Sequence, residues 1–146
     1  MYSPGNPDVA SLFYSVGFAD RSAGAEIAIF GVDPATGNSL LHDADQQLKA
    51  GTLALEDKAE WNVDWDEHGT VRLIWRAVHP SQIVAKYFDA AIAYHERRGR
   101  PASDLKAFQL VFPDTSGKFP WEADYDTDYR PWQHELYLPK AASTAV

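Results

Sequence analysis

The densest concentration of groups able to grip or work on a small molecule is one run: Gln109-Leu-Val-Phe-Pro-Asp114-Thr-Ser-Gly117-Lys-Phe-Pro-Trp121-Glu122. Asp114 and Glu122 are carboxylates that could serve as acid and base if a histidine joined them. His79, at a strand end, and His134, beside Glu135, are the imidazoles in question, and an imidazole titrates near neutral pH. Gln109 interrupts an apolar strand. A buried amide needs partners, so it either ties down a loop or reads a ligand. The run forms one wall of a predicted pocket through Asp114, Trp121 and Glu122, with Tyr14 and Gln109 on neighbouring strands. Adding Glu26, at the start of the second strand, gives the candidate ligand-binding set. The structural alternative is a hairpin stapled by its own aromatics.

A second constellation is Asp124-Tyr-Asp126-Thr-Asp128-Tyr-Arg-Pro-Trp-Gln-His-Glu135. Its carboxylates stand at positions 1, 3, 5 and 12, the spacing of a calcium-binding loop. Position 6 is Tyr129 where that loop needs glycine, position 8 is Pro131, and no amphipathic helix flanks it. An acidic, solvated loop is the default, with Asp124, Asp126, Asp128 and Glu135 a metal set by spacing alone. No cofactor motif appears: glycine-rich phosphate loops and a Gly-x-Ser-x-Gly elbow are absent.

These groups need elements to position them. Ser11 to Phe18 reads as a first strand and Glu26 to Val32, largely apolar, as a central second one; the short link Ala19 to Ala25 makes them antiparallel neighbours. Asp33-Pro34 starts a helix, with Asp as N-cap and Pro at the first position. Leu40, Leu41, Ala44 and Leu48 recur at helical spacing, and Gly51 ends it. Ala59 to Trp65 and Thr70 to Val78 flank Asp66-Glu-His68-Gly69 as a hairpin. Pro80-Ser81 caps a second helix whose apolar face is Val84, Tyr87, Phe88, Ala91 and His95. Leu105 to Phe112 is the last main strand, and Gln133 to Leu138 reads as a short edge strand ended by Pro139. The order ββ-α-ββ-α-β predicts an α+β domain, a mostly antiparallel or mixed sheet of about five strands with two helices on one face. Residues 1–9 read as a flexible arm, 10–139 as the domain and 140–146 as a tail.

Composition bounds the partners. The 146 residues carry a net charge of −8 and no cysteine. Without cysteine there is no disulfide framework, thiolate metal site or thiol nucleophile. A surface this acidic disfavours nucleic acid and anionic membranes and suits a basic protein partner or a cation. The N-terminus lacks a secretory pattern and no apolar run is long enough to span a membrane, so a cytoplasmic location is expected. Five Trp and seven Tyr exceed what so small a core needs, which points to a contact surface.

Tyr14-Ser-Val-Gly17-Phe, Glu26-Ile-Ala-Ile-Phe30-Gly31 and the Pro113-Asp-x-x-Gly117-x-Phe-Pro-Trp121 block resemble a bacterial family known as domain of unknown function 4262. The similarity spans roughly residues 11 to 135. This chain has Gly24-Ala25 where members often carry His-Pro, and Arg130-Pro-Trp-Gln133 where they tend to carry Gln-Pro. The resemblance implies no activity. The first functional expectation is a non-catalytic binding module, taking a small ligand or protein partner in an aromatic and acidic cleft. The alternative is a small enzyme using Asp114 and Glu122 with a histidine.

Overall fold

A computed structural model describes residues 12–18, 24–64 and 69–139. The predicted arm and tail, Ser11, most of the 19–25 link and the hairpin loop at 65–68 with His68 lie outside the described residues. β1 (Leu12–Tyr14) and β2 (Glu26–Phe30) pair antiparallel, with Tyr14 opposite Ala28. The helix α1 (Pro34–Ala50) begins as its sequence dictates: the Asp33 carboxylate accepts from the Thr36 amide at 2.8 Å. It ends at Gly51, whose left-handed backbone lets its N–H reach the Gln47 and Leu48 carbonyls. β3 (Glu60–Asp64) and β4 (Thr70–Ala77) form the expected hairpin. A 3-10 turn at Pro80–Gln82 precedes α2 (Ala85–Arg97), so the second helix starts later than Pro80-Ser81 suggested. β5 (Ala107–Val111) closes the set.

The strands form one sheet in the order β1-β2-β5-β4-β3, and β2 runs parallel to β5 while the other neighbours are antiparallel. The sheet is therefore mixed, in an α+β chain with two helices, as the sequence implied. The helices do not share a face. Phe13, Ile27, Ile29 and Leu110 point toward α1, packing with Leu40, Leu41 and Ala44. Leu12, Tyr14, Ala28, Phe30 and Ala107, of the opposite parity, pack with Tyr87, Phe88 and Ala91 of α2. β2 is buried at all five positions, which requires cover on both sides. Two helices on one face would have left Ile27 and Ile29, or Ala28 and Phe30, in water.

Gly37 marks how closely α1 lies on the sheet. A Cβ there would fall 2.7 to 2.9 Å from the Phe13 ring. The segment 133–138 is not a strand. It lies over the same face of the sheet as α2, with Leu136 among the residues packed there, and is tied to β5 by side-chain amides.

Candidate ligand cleft at the carboxyl ends of the parallel strands

Two glutamines fasten the chain's last described stretch to β5. Gln109 donates from Nε2 to the His134 carbonyl at 2.6 Å and accepts at Oε1 from the Leu136 amide at 3.0 Å. Gln133 reciprocates: its Oε1 accepts from the Phe112 amide at 3.0 Å and its Nε2 donates to the Phe112 carbonyl at 2.9 Å. Each side-chain amide takes the place of a strand's peptide group, which explains why no edge ladder forms. Gln109 is fully buried and both ends of its amide are used, so it ties down a segment.

β5 stops at Pro113, which has no N–H to donate. The turn beyond it is organised by Asp114. Its Oδ1 accepts from the Ser116 and Lys118 amides, both at 2.9 Å, and its Oδ2 from the Asp126 amide at 2.8 Å. Desolvation raises the carboxyl's pKa, but the N–H groups of Lys118, Asp126 and Ser116 outweigh it and hold the group below the ordinary carboxylate value. Glu122 accepts from the Phe119 amide at 3.0 Å. Phe119 is buried against Ile74, Val111 and Tyr137, and Trp121 stacks on it with ring centres 5.2 Å apart. The continuation does fold back over the sheet.

It folds over β4, away from β1. The Arg76 guanidinium lies 4.6 Å from the Trp121 ring centre and 4.4 Å from that of Tyr137, while its Nε bonds Asp57 at 2.9 Å. Tyr14, Ala28, Gln109 and Arg76 are successive partners across one row of the sheet. Three strand spacings, about 14 Å, separate the ends of that row. Between them sit Leu136, Phe88 and the rest of the α2 core. The Tyr14 hydroxyl donates to Asp89 Oδ1 at 2.6 Å and accepts from the Ala90 amide at 3.0 Å, at the irregular turn of α2 around Phe88. Glu26, fully buried, accepts from the Ser15 hydroxyl and the Gly17 and Phe18 amides. Of the six candidate residues, only Asp114 borders a hollow described below.

Two hollows lie at the edge where β2 and β5 end. The larger, about 620 Å³, lies between the start of β4 (Thr70, Val71, Arg72) and the β5 turn (Phe112, Pro113, Asp114, Thr115, Gly117), with Tyr129 beside them. The smaller, about 310 Å³, is lined by Phe30, Gly31 and Val32 after β2 and by Tyr125, Trp132 and Gln133, and shares Phe112, Pro113 and Tyr129 with the first. Open α/β sheets bind ligands outside the carboxyl ends of their parallel strands, and β2 and β5 are this sheet's parallel pair. Gly31 is built for the floor: it turns with φ 78°, and a Cβ would come within 3.2 Å of the Trp132 carbonyl.

The acidic run supplies walls more than charge. Arg130 ties it together, bonding Glu135 at 2.9 Å and the Pro120 carbonyl at 3.0 Å, with its guanidinium over the Tyr125 ring. Asp126 caps the 3-10 turn Thr127–Trp132 through the Asp128 amide, and Asp124 faces Lys118 at 3.5 Å. Among the described residues no group of three or more His, Asp or Glu is arranged to hold a metal ion. Burial pushes the Tyr125 phenol above its usual range, against the Gln133 hydrogen bond and the Arg130 charge. Tyr137 is pushed up further by burial and by its bond to Glu135, so both phenols stay protonated. The imidazoles are engaged elsewhere: His79 with Ser81, and His134 with the Tyr87 hydroxyl at 3.0 Å, stacked on Phe30.

The sequence reading missed Tyr125, Tyr129, Trp132, Gln133 and the Thr70–Arg72 wall. The signal that could have found them was the aromatic spacing of 125, 129 and 132, taken together with a parallel β2–β5 pair.

Fold and cleft define an α+β domain with helices on both faces of a mixed sheet and a hollow at its parallel strand ends. Residues 2–126 match the family described as a domain of unknown function (DUF4262), and the chain belongs to that family. No curated protein and no solved structure matches it. The match ends before Tyr129, Trp132 and Gln133, so the family portion supplies the cleft floor and the residues after it much of the rim. Among the described residues, no helix is long and apolar enough to cross a membrane.

Proposed function

We propose that this domain is a non-catalytic, cytoplasmic binding module that holds a small molecule in the cleft spanning Phe112, Pro113 and Tyr129. The observation that carries this is the meeting of two hollows at those three residues, outside the ends of the only parallel strand pair among the described residues. The larger volume lies in the range of small-molecule sites, and its lining is mainly apolar with a few polar heads. A small ligand is favoured over a protein partner because the surface here is concave.

The enzymatic alternative has little chemical support. Asp114 spends both oxygens on backbone amides and is held ionised, which suits neither a general acid nor a strong base. Glu122 accepts from the backbone of its own turn, and neither His79 nor His134 lines the hollow that Asp114 borders.

A thermal-shift screen of metabolite-sized compounds tests the proposal. Binders of the native state raise its melting temperature by mass action. Compounds that stabilise the native chain and lose that effect in Tyr129→Ala support the cleft. Stabilisers indifferent to Tyr129→Ala place the site elsewhere.

A further inference from the structure

We propose that the larger hollow selects a flat, apolar-faced molecule bearing one carboxylate or similar anionic group, with Arg72 as its anchor. This rests on the binding-module reading above. Among the described residues the lining contains two charged ones, Arg72 and Asp114, and they are not equivalent. Asp114 is the weaker of the two as a contact: its oxygens already accept three backbone N–H groups, so it has little left to offer a ligand cation. Arg72 is underused. Its Nε pairs with Glu60 at 3.2 Å, a contact between side chains that are each about half exposed (50% and 53%). Such exposed pairs are weak and exchange readily. Its two terminal nitrogens donate no hydrogen bond among the described residues, and its guanidinium lies over the Phe119 ring, 5.2 Å from the centre, which fixes its direction. A planar fork of free N–H donors matches a carboxylate in bidentate fashion.

The rest of the hollow suits a flat body. Pro113 and the Phe112 and Tyr129 side chains form its apolar part, while Thr70 and Thr115 bring hydroxyls. Aromatic rings favour offset stacking or edge contact with other flat groups. A cationic ligand would meet the Arg72 charge without a usable carboxylate in return. The overall charge of −8 lowers the encounter rate of an anion, but it does not remove the local guanidinium.

Isothermal titration calorimetry with indole-3-acetate and with its uncharged amide, on the full chain, tests this. The expected result is at least tenfold tighter binding of the carboxylate, with that preference lost in Arg72→Gln and retained in Arg72→Lys to a smaller degree. Circular dichroism of each variant checks folding, and Lys49→Gln, whose ion pair with Asp45 lies on α1, serves as a charge-matched control that leaves the preference intact. Equal binding of acid and amide, both weakened by Tyr129→Ala, overturns the anion selection while keeping the cleft. A carboxylate preference that survives Arg72→Gln overturns the role of Arg72. No heat from either probe at millimolar concentration, with compounds of other chemistry binding the cleft in the thermal screen, overturns the ligand class.

Discussion

The two faces of the sheet are built on different principles. Toward α1 the contacts are apolar: Phe13, Ile27, Ile29, Leu73, Trp75 and Leu110 meet Leu40, Leu41 and Ala44, with the Trp61 and Trp75 rings 5.3 Å apart. Toward α2 and the final segment the sheet carries buried polar side chains: Tyr14 is joined to α2, Gln109 to the segment at His134, and Glu26 to the turn just after β1. Apolar packing is non-directional and tolerates adjustment. A buried amide or carboxylate accepts one geometry and penalises every other. The first face holds the sheet together, and the second sets where the chain goes after β5, and so shapes the cleft.

Substitutions can break that contrast, beginning with the largest effect. Leu110→Ala, on the apolar face, should cost about 2 to 5 kcal/mol in urea denaturation, as expected for a truncated core leucine, and leave ligand binding at the remaining folded fraction unchanged. Gln109→Leu, its neighbour on the other face, should cost about 2 to 4 kcal/mol because the His134 carbonyl and Leu136 amide lose their partners. It should also loosen the segment that carries Trp132 and Gln133, read as faster amide exchange at 133–136. Equal exchange in the two variants would mean that the amide does not set the path of that segment. Gly37→Ala comes next. A helix interior ordinarily gains about 1 kcal/mol from this change, but here the methyl meets the Phe13 ring. The melt should show no gain and a net loss of up to about 2 kcal/mol after an overpacking penalty of about 1 to 3.

Much of the first face was legible in the sequence. Asp33-Pro34, the leucine spacing and Gly51 bounded α1 because capping and periodicity are local properties. The Asp66–Gly69 loop announced the β3–β4 hairpin for the same reason. Parallel pairing of β2 with β5 was not legible, since it joins residues about eighty positions apart (Ala28 with Gln109) and leaves no local mark. The candidate site suffered from that. Tyr14 and Gln109 were expected on neighbouring strands, but β2 lies between β1 and β5 and Ala28 stands between the two residues. Gln133 to Leu138 resembled a strand by alternation, whereas two glutamine side chains supply the hydrogen bonds that a ladder would have made.

The smallest predicted effect is a pH dependence. Asp114 has a folded pKa below its unfolded value of about 3.9, so the unfolded state binds more protons and stability rises with pH across that window. The contribution is fully present above the unfolded pKa and is lost as pH falls through the folded one. Asp114→Asn should therefore be less stable than the native chain at neutral pH, with the gap closing as the solution is acidified below about pH 4. A gap constant from pH 7 to pH 3, measured by urea denaturation, would mean that the three amide bonds do not favour the ionised form.

The central claim is that the carboxyl ends of β2 and β5, roofed by Tyr129 and Trp132, form the ligand site. Nitrogen-15 correlation spectra of the labelled chain, recorded against a library of small fragments, test it most directly. Perturbed amides should concentrate at Gly31, Val32, Thr70–Arg72 and Asp114–Gly117, with the Trp132 indole moving alongside. Perturbations centred on Tyr14 and Asp89, or scattered without focus, would contradict it.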